Sequence, residues 1–132
     1  MLYWLGRMVL GGYFLSSGLN HFKNRVQMAQ YAGAKGVPSA DAAVVASGAM
    51  LVGGGASLLL GVKPRLGALA VLGFLASVSP QMHDFWNIED AGQKQQEEIN
   101  FTKNVALMGA MLAVIGAERK KEKRDEWEEL AA

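Results

Sequence analysis

The chain has two histidines and no cysteine, and each histidine stands beside groups that could share its chemistry. His21 follows Asn20 in "SSGLNHF", and His83 opens "HDFW", where Asp84, Phe85 and Trp86 come in quick succession. Asn104, in "FTKNVAL", is another polar residue set against an apolar run. Imidazole and amide groups exchange hydrogen bonds, and aromatic rings can wall a flat ligand. The set therefore suits an amphipathic ring such as a quinone headgroup. His21, His83 and Asn104 would supply donors to its carbonyls, with Asp84 beside them and Phe85 or Trp86 as the wall. It also suits a metal: His21, His83 and Asp84 form a plausible ligand set for zinc or iron, although no H-x-x-x-H spacing fixes a geometry. A third reading needs no ligand. Phe22, Phe85 and Trp86 would anchor helix ends at lipid headgroups, with histidine favoured there by the helix dipole.

Long apolar segments position these residues. "MLYWLGRMVLGGYFLSSGLN" is broken only by Arg7, and "AAVVASGAMLVGGGASLLLGV" and "LGALAVLGFLASVSPQM" carry no charge. "NVALMGAMLAVIGA" is shorter and reaches spanning length if "INFTK" extends it, with Lys103 reaching outward. A hydrocarbon core takes about 20 helical residues, and a soluble helix would show a charged face that the second and third segments lack. The sequence thus predicts an all-α integral membrane protein, a four-helix transmembrane bundle. Its spans lie near 1–20, 42–62, 66–83 and 101–117, followed by a charged cytoplasmic tail at 118–132.

The connections add detail. "HFKNRVQMAQYAGAKGVPSAD" has room for a short interfacial helix, and "VKPR" is tight enough to make its flanking helices antiparallel. The tail "ERKKEKRDEWEEL" reads as a solvated helical extension with Lys121–Asp125 and Arg124–Glu128 pairs. Lys63, Arg65 and the five cations from Arg119 to Arg124 share one side of the membrane with both termini. Lys23, Arg25, Lys35, Lys94 and Lys103 share the other. The balance places the termini in the cytoplasm. In that topology His21, His83 and Asn104 reach one layer at the opposite boundary. Arg7 would extend to the cytoplasmic headgroups. Small-residue pairs four apart (Gly12 and Ser16, Ala49 and Gly53, Gly73 and Ser77, Gly109 and Ala113) would bring helices together. "LGRMVLGGYFLSSGLNHF" and "LGALAVLGFLASVSPQMHDF" also share a spacing of Gly, aromatic and Ser that suggests an internal repeat.

Several function classes drop out. Without cysteine the chain has no disulfide and no thiol chemistry of its own. A net charge of +1 argues against a nucleic-acid partner. "GGG" at 53–55 lacks the Lys-Ser/Thr of a phosphate loop. No complete catalytic motif is present, so no residue is assigned as catalytic or as a metal ligand.

"LGRMVLGGYFLSSGLNHF", "LLLGVKPRLGALAVLGFL", "HDFW" and "FTKNVALMGAMLAV", taken in that order, resemble the DoxX family of small four-span membrane proteins. The resemblance implies a bacterial inner-membrane protein linked to quinol oxidase or thiosulfate:quinone oxidoreductase subunits, with quinone as the implied cofactor. Many members carry an acidic residue in the second span; here that region reads "SGAMLVGGG". Two functions follow: a quinone-linked redox protein, or a non-catalytic accessory subunit packed against a larger membrane complex or against further copies of itself.

Overall fold

In a computed structural model covering residues 1–132, the chain folds as five α-helices and one short 3-10 turn, without strands. They are α1 (Leu2–Lys23), α2 (Arg25–Ala34), α3 (Ala40–Leu60), α4 (Pro64–Met82) and α5 (Ala91–Ala131), with the turn at Phe85–Asn87. Three of these segments are long and apolar enough to cross a membrane: α3, α4 with the turn that follows it, and α5. The fourth long helix, α1, has 22 residues, about 33 Å at the helical rise, and lies antiparallel along α3. The protein is an all-α, multi-pass membrane protein. The sequence anticipates a short helix between the first two apolar segments, and α2 is a helix at that place.

Glycine sets the closest contact in the bundle. A methyl carbon placed on Gly55 would lie 2.3 Å from the backbone nitrogen of Leu15, and one on Gly11 would lie 2.4 Å from that of Leu59. On Gly18 it would meet the backbone nitrogen of Val52 at 2.6 Å. The α1 and α3 backbones touch, and no side chain fits between them. The small residues anticipated at the contacts sit elsewhere. Gly12, Gly53 and Gly109 have open space beside them, and Gly73 has only a methionine methyl at 4.0 Å. Packing glycines recur every seventh position, Gly11 with Gly18 and Gly48 with Gly55, as expected for helices crossing at a shallow angle.

Phe14, Leu51, Leu58, Ala68, Val71, Leu75, Met111 and Val114 form the core. Only 22 residues of 132 are buried, while Val9, Leu60, Leu66 and Leu112 are more than half exposed. Apolar surface on this scale suits a bilayer rather than water. At the spacing that relates the first and third apolar segments, Arg7 and Ala68, Phe14 and Leu75, and Gly18 and Ser79 are buried alike.

Arg7 departs from expectation. It does not reach for headgroups: it is 8% exposed and faces Glu118, itself 6% exposed, on α5. An Arg7 guanidinium nitrogen lies 3.7 Å from Glu118 Oε1, and Tyr3 Oη donates to the same oxygen at 2.6 Å. Space for the guanidinium comes from Gly61, which ends α3 with a left-handed φ of 74° and presses against it. A charge held in an apolar surround is costly without a partner, and Glu118 is the partner that sequence reading assigned to the solvated tail.

Two stability tests follow. Gly55→Leu is expected to lower stability by about 2 kcal/mol or more in detergent unfolding, whereas Gly53→Leu, on the open face, changes it little. Glu118→Leu strands Arg7 and is expected to cost about 3 kcal/mol or more. The Arg7→Leu, Glu118→Leu double variant should regain much of that, and equal destabilisation of both would exclude the ion pair as the cause.

Candidate functional site

At the end of the bundle opposite Arg7, the helices enclose a cavity of about 590 Å³, within the range of small-molecule sites. α1 contributes Tyr13, Phe14, Ser17 and His21; α3 and α4 contribute Val44, Ser47, Met50, Phe74, Val78 and Gln81. Gln27, Met28, Tyr31 and Ala32 of α2 line it as well. Fourteen of its 22 lining residues are hydrophobic, so the few polar groups stand out.

His21, His83 and Asn104 all line this cavity. Asn104 is 8% exposed and lines the cavity, and its amide forms no hydrogen bond within the protein. Such a group is normally bonded. His21 is equally buried. Its Nδ1 lies 2.8 Å from the Ser17 carbonyl oxygen, and its ring meets Phe74 edge-on at 5.7 Å. A carbonyl only accepts, so Nδ1 carries the proton and Nε2 of the neutral ring is an acceptor. The ring therefore offers a lone pair to a ligand rather than the donor expected from sequence.

Asp84 and Trp86 lie outside the cavity wall. Asp84 pairs with Lys35 Nζ at 2.6 Å and accepts from the Asn87 amide at 3.2 Å. These bonds hold its carboxyl below the usual range, Lys35 being the larger cause, and the same bond raises Lys35. Trp86 packs with Phe85 and Phe101, at ring separations of 5.2 and 5.8 Å, and is half exposed. The aromatic surface of the cavity comes instead from Tyr13, Phe14, Tyr31 and Phe74. No group of three His, Asp or Glu side chains is placed to hold a metal ion.

Two ion pairs fasten α2 over the cavity. Arg25 grips Asp41 with two nitrogens, one at 2.6 Å, and Lys35 holds Asp84. Glu97, beside His83, escaped notice because "QKQQEE" reads as a polar loop. A signal was present: in "DAGQ", Asp90 Oδ1 accepts from the Gln93 backbone nitrogen at 2.8 Å, the spacing of a helix-start cap. Once α5 begins there, Glu97, Asn104, Met111 and Glu118 recur every seven residues along one face.

The sequence profile described as DoxX matches residues 2–84, which run from α1 through α4. The chain belongs to the DoxX family. Searches of curated proteins and of solved structures give no match. In this DoxX protein the matched region supplies most of the cavity, while Asn104 and Leu107 enter from α5, beyond it.

The Lys35–Asp84 clasp sets a pH window. Because Asp84 is depressed in the fold, its stabilisation is present above the ordinary carboxylate range and lost as pH falls through the lowered value. Lys35, raised, contributes at and below the ordinary lysine range and loses its contribution as pH rises through the raised value. Protection of the α2 amides, taken relative to the unfolded-chain exchange rate at the same pH, should therefore be high near neutrality and fall below about pH 4. Lys35→Met should show the acid-like low protection at neutral pH; unchanged protection would mean the clasp does not hold α2.

Proposed function

We propose that this protein binds an amphipathic hydroxylated or carbonyl ring of the quinone class in the cavity and serves membrane redox metabolism. The observation that carries this reading is the presence of Asn104, a residue nine-tenths buried whose amide makes no hydrogen bond to the protein, in the wall of an apolar, aromatic-lined cavity. Asn104 would bond one ring oxygen as donor or acceptor. His21 Nε2 would accept from a hydroxyl on the ring, which suits the reduced form, whereas a carbonyl would need the protonated imidazole. Phe74 and Tyr31 would flank the ring, and the apolar remainder would hold an isoprenoid chain. The family membership raises the prior for this class of ligand, and the absence of an acidic residue in α3 near "SGAMLVGGG" leaves the proton chemistry to other groups.

In this reading the protein sits in a bacterial inner membrane with both termini in the cytoplasm and the cavity at the opposite boundary. A second reading, an accessory subunit, is favoured by Gly12, Gly53 and Gly109, whose open faces on three helices would admit another helix.

Organic extraction of protein purified in mild detergent tests the first reading. Wild-type protein should release a quinone, and Asn104→Leu and His21→Phe should each retain at least about tenfold less, a loss of roughly 1.4 kcal/mol or more. Stoichiometric larger subunits, with no quinone in the extract, would overturn it in favour of the accessory reading.

A further inference from the structure

Glu97 has no part in the ring binding just described, yet it holds one of the two cavity histidines. His83 Nδ1 lies 2.5 Å from Glu97 Oε2. A carboxylate at that distance accepts a hydrogen bond from Nδ1–H, which leaves Nε2 as the acceptor of the neutral ring. His83 stands in the cavity wall, while its side chain and that of Glu97 keep 23% and 20% of their surface exposed. The pair thus joins the cavity to the membrane boundary. The charged groups around it are Lys35, near enough to feel the charge of Glu97, and Asp84, paired with Lys35. Tyr31 of α2 completes the titratable surround, with His21 of α1 also in the cavity wall. His21 differs in kind. Its Nδ1 is tied to a backbone carbonyl, which cannot take up a proton, and its side chain is sealed from the outside.

We propose that His83 and Glu97 form a proton-transfer pair that carries a proton from a hydroxyl-bearing ligand in the cavity to water. This rests on the ring-binding reading above. In the first step the ligand O–H bond breaks and an H–Nε2 bond forms. The oxygen keeps the electron pair, and the imidazolium is held by the Glu97 carboxylate. The Nδ1 proton then passes to Glu97 and on to water, leaving a neutral imidazole with its hydrogen on Nε2; loss of that hydrogen to water, with return of one to Nδ1, restores the starting tautomer. One proton has moved and no electron has left the ligand. A carboxylate behind a histidine is a familiar means of stabilising the imidazolium that forms when the ring acts as a base.

The test uses para-nitrophenol, a phenol whose ionisation is visible, with the purified full-length protein. Equilibrium dialysis reads binding, and absorbance of the bound fraction reads its ionisation across pH. In wild-type protein the bound phenol should ionise about one pH unit or more below its value in Glu97→Gln, with binding retained in both. His83→Gln, which keeps an amide facing Glu97 but cannot take up a proton, should lose the same shift. A carboxylate that only added negative charge would move the ionisation the opposite way, upward in wild type. That result, or equal ionisation in wild type and Glu97→Gln with both binding, overturns the proton-transfer pair and leaves the cavity reading standing. Absence of binding to wild-type protein overturns both.

Discussion

The backbone contact between α1 and α3 is the constraint on which the rest of the bundle depends. Lipid tails are as apolar as the side chains they surround, so helices in a bilayer associate through close packing rather than through escape from water. Gly11, Gly18, Gly48 and Gly55 permit that packing, because a single added carbon at most of these positions would collide with main-chain atoms. They also fix register. With α1 locked at this depth, Arg7 arrives level with Glu118 and His21 arrives in the cavity wall. A slide of one residue would turn different side chains toward α3 and break both alignments.

The two ends of the bundle treat polar groups differently. At one end Tyr3 and Arg7 of α1 gather on Glu118 of α5, with Tyr3 hydrogen-bonded to it, Arg7 at ion-pair distance and Arg7 Nε left without a hydrogen-bond partner. At the other, α1 and α5 border a cavity lined by His21, His83 and Asn104. The first end has a charge that the protein itself neutralises, which fixes the position of α5 against α1. The second has polar side chains around an open volume, which is why the proposed ligand is placed there although Arg7 is the charge that first draws the eye in the sequence.

Much of this was legible. Uncharged runs in α3 and α4 announce membrane helices, and "VKPR" announces their antiparallel turn. The convergence of His21, His83 and Asn104 on one layer follows from topology alone. Side-chain partners were harder to read, because they depend on which face of each helix turns inward. Spacing by four picked out Gly12, Gly53, Gly73 and Gly109, all away from the close contacts, whereas spacing by seven picks out Gly11 with Gly18 and Gly48 with Gly55. Glu97 and Glu118 were hidden for a related reason. Each lies in a run so polar that it looks solvated, and only the inward stripe of α5 reveals that both turn toward the bundle. Trp86 misled in the other direction, as an aromatic residue next to a histidine that packs on Phe85 and Phe101.

The unbroken course of α5 has a mechanical meaning. Its 41 residues make a rod of about 60 Å, twice the thickness of a hydrocarbon core, with no proline to absorb a bend. Glu97, Asn104 and Glu118 are therefore marks on a single ruler: Asn104 and Glu118 stand about 21 Å apart along the axis. Met111 and Val114, buried in the core between them, seat that ruler against the bundle. The distance from the cavity to the ion pair is thus set by one uninterrupted helix rather than by the loops.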